Sequence, residues 1–597
     1  MSKSKKIVKP ERQMPYYLIA LGVVIIASMV LRVVIPYHAV FIGDGHVIFG
    51  GNDPWYHMRL AENMAHNFPM PLYYDHFTWF PNGSPIIIPP LMSWLIVIGS
   101  FIVSFGQPST YVIESVGAWL PPILGTLTLI PVYFIGKEMH DKWTGVIAAA
   151  LVAIMPTSFL TRSMLGFTDH HVLEVLLITT TMLFLIKAYK SKGFLWYILG
   201  GLALGLLHLA WQGAIFMLFT MWLWLVVQFV LDNWGGRDVR RFWVGMAMAF
   251  GITAIMIVPF YIQVGMPIIY IIAPVLAIVT PGGLYLLARY FKTGKQLCVA
   301  LGAIVAIALG GLWLAFPVFF YDSFYLFLYA FAITKMRSIS ETFPLTPLAA
   351  LHEYGVNFVL FFGGLAVALR KGMRPLLIVI WASVVFIAVS TQCRWDYYFV
   401  VAVALMSAYC FTTIGMYFIK EVRKGVSLGL CVALLFLTVY DSIPVAKYPI
   451  LMSEDWYNAL LYLRDNTPEP YADADAYYRL DINKSPEYGV LSWWDYGHWI
   501  TQVSHRAPVA NPFQQGAIEA AEFFVDGKEI EGVRYVIIDK QMVTTKYYAM
   551  LLFLGREYTG VVEAPDNSMI KRMIKGEVPD YEVVYSHGDV LIFEKIT

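Results

Sequence analysis

Fourteen stretches of this chain are apolar and long enough to cross a lipid bilayer. A membrane-crossing helix needs ~20 consecutive apolar residues, because the hydrocarbon core holds no water that could pair exposed backbone groups. Charged residues make up only 14% of the 597 residues, against ~25% in soluble proteins. The chain is therefore predicted to be a multi-pass α-helical membrane protein. The apolar stretches begin near residues 16, 86, 111, 143, 171, 194, 211, 242, 267, 297, 355, 375, 396 and 426.

Basic residues in the connections between these stretches predict the orientation of the chain. Lys and Arg collect on the cytoplasmic side of membranes, so the basic N-terminus and six short basic loops are expected there. This arrangement requires that one early stretch does not cross. Segment 86–105, which follows Pro85, is expected to lie against the outer side, which leaves thirteen transmembrane helices and an extracytoplasmic C-terminus. The basic loops are 137–142, 187–192, 237–241, 289–295, 370–374 and 420–424.

The last quarter of the chain is predicted to be a separate domain. From Lys447 onward there are 14 basic and 23 acidic residues, whereas 28 basic and 18 acidic residues precede it. The positive charges lie in short loops rather than in one patch, which argues against nucleic-acid binding. We expect a transmembrane domain over residues 1–445, with long outer loops at about 37–110 and 321–354, and a mixed α/β extracytoplasmic domain over 446–597. Apolar spacing in this domain predicts helices at 454–463 and 544–554 and strands at 534–538 and 583–592.

Charged residues recur in the segments that this orientation places outside. Asp53, Asp169, Glu341 and Arg394 each have an ordinary explanation, as helix caps, solvated loop residues or anchors to lipid headgroups. The orientation, however, places all four at one membrane face. Asp53, Asp169 and His171 together offer two carboxylates and one imidazole, a set that suits Mn²⁺ or Mg²⁺ with waters completing the shell. The sequence therefore predicts a metal site at the outer face.

The C-terminal domain contains the unusual pentapeptide Trp493-Trp494-Asp495-Tyr496-Gly497. One interpretation is a buried turn that Asp495 caps. The other is a binding site, because aromatic planes make a rigid wall and a carboxylate beside them accepts a hydrogen bond from a hydroxyl. A site built in this way rejects ligands that lack the hydroxyl by up to ~10⁴–10⁵. A serine or threonine side chain is the expected ligand.

This pentapeptide, WWDYG, resembles the signature of the catalytic subunit of N-glycosylation oligosaccharyltransferases, and the whole chain resembles the archaeal-type single-subunit form. The resemblance implies a GT-C type fold, with thirteen spans before an extracytoplasmic domain. It also implies transfer of a glycan from a dolichyl (di)phosphate-type lipid carrier to the side-chain amide of Asn in Asn-X-Ser/Thr sequons. The expected partners are this lipid-linked oligosaccharide, the acceptor polypeptide and the membrane, and no further subunit is expected.

The same resemblance assigns roles to the outer-face residues. Asp53 and Glu341 are expected to be catalytic, each accepting an N–H group of the acceptor asparagine. Asp53, Asp169 and His171 are expected to hold the Mn²⁺ or Mg²⁺ ion. Arg394 is expected to bind the phosphate of the donor.

Five residues are expected to bind the sequon. Trp493, Trp494 and Asp495 would hold the Ser or Thr at position +2. Met542 and Lys546 match an Asp-X-X-Met-X-X-X-Lys motif that completes this pocket in some archaeal relatives, and their i, i+4 spacing places them on one helix face.

Two other functions have to be weighed. A protein O-mannosyltransferase, or another membrane glycosyltransferase that uses a lipid-phosphate sugar, would share an acidic first outer loop but has no reason to carry the WWDYG pentapeptide. A transporter would place charges near mid-membrane and show an inverted repeat, and the sequence has no visible repeat.

Overall fold

Helices dominate the N-terminal three quarters of the chain. The structure is a computed structural model that describes residues 16–291, 293–318, 321, 340–418, 435–436, 438–471, 473–482, 484–556 and 563–596. A helix lies in each of the first thirteen apolar stretches, and of the stretch that begins near residue 426 the residues 435–436 and 438–447 are described and are helical. The helices of this part are Tyr16–Met29, Asp53–His66, Leu91–Val103, Thr110–Met139, Lys142–Ile154, Ser158–Arg162, His171–Lys190, Leu195–Ala210, Ile215–Trp234, Arg240–Gln263, Ile269–Tyr290, Gly294–Ala315, Pro347–Tyr354, Val356–Arg370, Leu377–Val389 and Asp396–Phe418.

Not all of these helices have the length of a membrane span. Within the described residues, eight are long and apolar enough to cross, and a ninth crossing results if the bent pair Pro347–Tyr354 and Val356–Arg370 forms one span. Leu91–Val103 has only 13 residues, fewer than the ~20 needed. The helix Lys142–Ile154 also has 13, because Met155 precedes a proline and adopts an extended conformation. The protein is thus a multi-pass membrane protein.

Segment 37–110 links the membrane part to the C-terminal domain. Its helix Asp53–His66 is almost entirely buried. The Arg59 guanidinium on this helix lies 3.1 Å from Asp75 Oδ1, donates to the Tyr477 carbonyl at 2.6 Å and stacks on the Tyr477 ring at 3.8 Å. Gln502 of the C-terminal domain donates to Glu62 at 2.8 Å. These buried polar contacts fix the start of the helix relative to the C-terminal domain. Two short antiparallel pairs, Phe41–Ile42 with His46–Val47 and Tyr74–Asp75 with Ser84–Pro85, flank it.

The C-terminal domain is a mixed α/β unit around a four-stranded sheet. The strand order is Gly489–Leu491, Val533–Asp539, Val590–Lys595, Tyr581–His587, with the first pair parallel and the other two antiparallel. The pentapeptide lies directly after the first strand, in the turn that leads into the helix Gly497–Ser504. The other helices are Glu454–Asn466, Ala517–Asp526, Lys540–Val543, Thr545–Phe553 and Met569–Ile574.

The expectations for this domain are largely confirmed. Glu454–Asn466 and Thr545–Phe553 are helices and Val533–Asp539 is a strand, each within a few residues of its predicted position. The single strand predicted over 583–592 is wrong. Gly588 adopts a positive φ of 54°, which turns the chain and makes this region a hairpin of two strands.

Candidate active site

A cavity of about 650 Å³ lies where the outer segments of the membrane part meet the C-terminal domain. Six of the ten predicted site residues line it, although they are up to about 440 positions apart in the sequence. The other four lie against or behind its wall. His171 and Lys546 contact lining residues, whereas Trp493 and Met542 are buried. The six lining residues are Asp53, Asp169, Glu341, Arg394, Trp494 and Asp495.

Asp53 is the first residue of its helix and is exposed to the cavity. Gly51 precedes it with a positive φ of 72°, and Pro54 occupies the first turn, where no backbone N–H donor is needed. Enclosure in the cavity and the nearby carboxylates of Asp169 and Glu341 together raise the pKa of Asp53 to about 7. Burial and neighbouring like charges both disfavour the charged form of a carboxyl group.

Asp169 is buried in a tight turn before the helix His171–Lys190. Only glycine fits at Gly166, whose φ is 80° and where a Cβ would lie 3.0 Å from the Val40 side chain. Asp169 Oδ2 lies 2.8 Å from His171 Nδ1, and Oδ1 lies 2.5 Å from His170 Nδ1. Burial alone would raise the pKa of Asp169, but His171 and His170 outweigh it and hold the pKa well below its usual range.

Arg162 is a cavity residue that the sequence reading missed. Its guanidinium contacts both Glu341 Oε1 and His171 Nε2 and lies 5.0 Å from the centre of the Tyr397 ring. Burial raises the pKa of Glu341, but Arg162, His171 and Arg394 together outweigh it and lower that pKa below its usual value. One signal was available, because Arg162 is a basic residue in a segment that the charge rule places outside.

Glu341 and Arg394 meet the other residues through two outer segments. The Cys393 backbone N–H donates to the Phe343 carbonyl at 2.6 Å, which joins the turn holding Arg394 to the segment holding Glu341. Arg394 Nε is buried and makes no hydrogen bond within the described part of the chain. Ser338 and Ile339 of the predicted Ser338–Glu341 motif, and most of loop 321–354, lie outside the described residues.

The expected ligands have the donor types that suit a divalent cation, but among the described residues the ligand atoms of Asp53, Asp169 and His171 do not all lie within 4.8 Å of one another. Asp53 and Asp169 share the cavity, and His171 contacts Asp169, so two carboxylates and an imidazole adjoin one space. Burial first, and then the neighbouring carboxylates of Asp169 and Glu341, raise the pKa of Asp53, and a cation bound beside these carboxylates would oppose this effect. His171 has Asp169 at Nδ1 and Arg162 at Nε2, so a cation bound by His171 would replace one of these two contacts.

The WWDYG turn is held to the segment that carries Met542 and Lys546. These two residues do not share one helix face as expected, because the backbone at Thr544 is not helical and divides the segment into the helices Lys540–Val543 and Thr545–Phe553. Lys546 Nζ lies 2.5 Å from Asp495 Oδ2 and 4.0 Å from the centre of the Tyr496 ring. The Tyr496 hydroxyl donates to Asp539 Oδ2 at 2.5 Å, and Asp539 Oδ1 accepts from the Met542 backbone N–H at 2.9 Å. The WWDYG turn is therefore joined in one unit to the helices Lys540–Val543 and Thr545–Phe553.

Two further residues explain the composition of this turn. A Cβ at Gly497 would lie 2.3 Å from the Ala510 carbonyl oxygen, so only glycine fits there. His498 is buried, stacks on Tyr56 with ring centres 4.4 Å apart, and has its Nε2 3.8 Å from Asp53 Oδ1. Burial and the nearby His57 lower the pKa of His498 to about 3, so its ring is neutral beside the acidic cavity.

Comparison with known families agrees with this geometry. The family model described as "Oligosaccharyl transferase STT3, N-terminal" matches residues 21–448, which is most of the chain. The chain belongs to the STT3 oligosaccharyl transferase family. A second family model, the AglB core domain, matches residues 453–543 of this STT3-family protein, which include the WWDYG turn.

Several relatives of this STT3-family protein come from Archaeoglobus fulgidus. Dolichyl-phosphooligosaccharide-protein glycotransferase 3 is 30% identical over 89% of this chain and 70% of its own length. The structure of the archaeal oligosaccharyltransferase AglB with an inhibitory peptide and a dolichol-phosphate matches with a TM-score of 0.84 and 26% identity, over 96% of this chain and 79% of that one. An oligosaccharyltransferase complex with Zn and sulfate matches with a TM-score of 0.79 and 26% identity, over 95% and 79%.

These findings confirm the resemblance drawn from WWDYG. The STT3-family protein is a membrane glycosyltransferase of the oligosaccharyltransferase type, and the alternatives of an O-mannosyltransferase and a transporter are excluded.

Proposed function

We propose that this STT3-family protein moves a glycan from a dolichyl phosphate-type carrier to the side-chain amide of Asn in Asn-X-Ser/Thr sequons. One observation supports this most strongly. Asp495 and Trp494 of the C-terminal domain line the same cavity as Asp53, Glu341 and Arg394 of the membrane part. A peptide whose hydroxyl is held by Asp495 and Trp494 therefore presents a nearby residue to Asp53, Glu341 and Arg394.

The acceptor side of the reaction requires activation of a carboxamide. Its nitrogen is a poor nucleophile, because full loss of the conjugation with the carbonyl costs ~18–20 kcal/mol, by analogy with peptide rotation. Asp53 and Glu341 each accept one N–H of the acceptor asparagine and hold the NH₂ group rotated. Arg162 keeps Glu341 ionised for this task, since its guanidinium pairs with that carboxylate.

The donor side of the reaction requires stabilisation of the departing phosphate. Arg394, which lines the cavity, donates a charge-assisted hydrogen bond to a phosphate oxygen. Asp53, Asp169 and His171 hold Mn²⁺ or Mg²⁺. When bound, the ion supplies a Lewis acid for the phosphate oxygens.

The sequon is held by the WWDYG turn. Asp495 accepts the hydrogen bond of the Ser or Thr hydroxyl at position +2, and Trp494 provides the apolar wall beside it. Lys546 fixes the Asp495 carboxylate by pairing with one of its two oxygens. Trp493 and Met542, both buried, support the wall and the Lys546 helix from behind.

The same proposal includes a topology for the chain. Thirteen helices cross the membrane in residues 1–445 of a GT-C type fold, with a cytoplasmic N-terminus, and domain 446–597 lies outside the cell. The distribution of basic loops supports it, as does the position of the cavity residues in segments 37–110 and 321–354 and at the outer ends of helices. The protein acts as a single subunit.

A transfer assay tests the function. Purified protein receives lipid-linked oligosaccharide, Mn²⁺ and a labelled Asn-X-Thr peptide, with Asn-X-Val as the matched control because valine keeps the shape of threonine and lacks its hydroxyl. Mass spectrometry of the products is expected to show glycan on the Asn-X-Thr peptide and at least ~10²-fold less on Asn-X-Val. Equal transfer to both peptides would contradict the role of the WWDYG turn.

A further inference from the structure

Three potential metal-binding atoms lie close together at Asp169 Oδ1, the carboxylate oxygen that His171 does not contact. His57 Nε2 is 3.2 Å from Asp169 Oδ1, His170 Nδ1 is 2.5 Å from the same oxygen, and the two nitrogens are 3.0 Å apart. His57 and Asp169 are buried. None of the expected ligands except Asp169 belongs to this group, so it is a second set of donors rather than the predicted one.

Hydrogen bonds alone do not account for this triangle. If both nitrogens carry protons directed at Asp169, two N–H groups face each other at 3.0 Å. If only one carries a proton, the lone pair of the other faces the carboxylate oxygen. Every tautomer therefore leaves one contact between two donors or between two acceptors. A cation that receives a lone pair from all three atoms removes the conflict.

The surroundings of His170 are those of a metal ligand. Its other nitrogen, Nε2, lies 3.3 Å from Glu174 Oε1, one turn along the helix. Glu174 is fully buried, and its Oε2 accepts from the hydroxyls of Tyr397 and Tyr398. Histidines that bind metals usually donate the second ring N–H to a carboxylate, which fixes the tautomer and raises the basicity of the binding nitrogen.

We propose that His57, His170 and Asp169 Oδ1 bind a second divalent transition-metal ion. The site rests on the proposed function in one respect, since Asp169 would bridge this ion and the one held with Asp53 and His171. An ion at the usual metal–ligand distance of ~2.0–2.2 Å from all three atoms fits about 1.2 Å out of their plane. Two imidazoles and one carboxylate suit Zn²⁺ or Mn²⁺ and disfavour Mg²⁺, which prefers oxygen.

Metal counting tests this site without relying on activity. Metal-free full-length protein in detergent is equilibrated with Zn²⁺, and bound ions are counted by mass spectrometry after removal of free metal. Wild-type protein is expected to hold two ions and the variant His57→Asn one, while His66→Asn, a matched change on the same helix outside the cluster, retains two. A single ion in wild type that His57→Asn leaves in place would overturn the proposal.

The same measurement separates this inference from the proposed function. Asp53→Asn is expected to remove the other ion and to leave the one at His57 and His170. If Asp53→Asn retains two ions, the assignment of an ion to Asp53 is wrong, while the second site stands.

A spectroscopic readout on wild-type protein covers the case in which His57→Asn does not fold. Two Mn²⁺ ions bridged by one carboxylate, ~3.5–4 Å apart, are expected to give a magnetically coupled electron paramagnetic resonance spectrum. A single uncoupled six-line spectrum at saturating Mn²⁺ would contradict the second site.

Discussion

Lys546 Nζ lies 2.5 Å from Asp495 Oδ2, which joins the two sequon motifs of the C-terminal domain by an ion pair. Both side chains are mostly buried, so this pair is shielded from solvent more than a surface ion pair is. The contact uses one carboxylate oxygen and leaves the other for a ligand. Asp495 is thus held in one orientation before a peptide arrives, which lowers the entropy cost of binding.

Removal of this restraint should weaken peptide binding more than chemistry. Lys546→Met is expected to raise KM for an Asn-X-Thr peptide roughly tenfold, with a smaller change in kcat, because a charge-assisted hydrogen bond contributes ~1.5–3 kcal/mol. Steady-state kinetics at saturating donor measures both constants. Lys540→Met is the matched control, since Lys540 is an exposed lysine just before the same segment. An unchanged KM in Lys546→Met would show that Asp495 does not depend on the pair.

The tryptophan wall should favour threonine over serine at position +2. The additional methyl group contributes up to ~0.8 kcal/mol when buried, which corresponds to about fourfold in kcat/KM. The variant Trp494→Ala is expected to lose this preference, because Trp494 lines the cavity beside Asp495. Competition between Asn-X-Thr and Asn-X-Ser peptides in one tube measures the ratio directly. If Trp494→Ala leaves the ratio of transfer to the Thr and Ser peptides unchanged, the threonine methyl group does not pack against Trp494.

Much of this arrangement could be predicted from sequence because it depends on local signals. Apolar stretches located thirteen helices, and the WWDYG motif located two residues that line the cavity. The number of membrane spans could not be predicted in this way. A proline such as Pro156 shortens a helix without shortening the apolar stretch, so helix length does not follow from hydropathy.

Other parts of the site depend on tertiary contacts that no spacing reveals. Arg162 meets Glu341 across 179 positions, and His57 meets His170 across 113. Neither pair has a sequence motif, because each partner is brought in by a separate outer segment. The strand prediction at 583–592 failed for a local reason, since Gly588 within it was not recognised as a turn.

Arg162 should be required for turnover through its contacts with Glu341 and His171. Arg162→Gln is expected to lower kcat at least tenfold, because loss of one charge-assisted contact to a buried group costs ~1.5–3 kcal/mol. Arg162→Lys should recover only part of the loss, since a lysine does not reach two partners with a planar fork. Arg240→Gln, at the exposed first residue of the helix Arg240–Gln263, serves as the control. Full activity of Arg162→Gln would remove this residue from the site.

Metal removal should stop the reaction reversibly. Treatment with EDTA is expected to abolish transfer, and added Mn²⁺ is expected to restore it, because in the proposed reaction Asp53, Asp169 and His171 hold an ion that the departing phosphate needs. Asp53→Ala should be inactive at any Mn²⁺ concentration. Product formation measured by gel shift of a fluorescent peptide is sufficient. If EDTA does not change the rate of glycan transfer, the ion has no part in the reaction.

The most direct test of the whole account compares two amides in one tube, an Asn-X-Thr peptide and a Gln-X-Thr peptide with different labels. Both carry the same carboxamide and the same threonine, but the glutamine amide lies one methylene farther out. Because Asp53 and Glu341 are fixed relative to Asp495, a displacement of about 1 Å should cost at least ~10²-fold. We predict glycan on the asparagine peptide alone. Comparable transfer to the glutamine peptide, or attachment to the threonine hydroxyl, would contradict it.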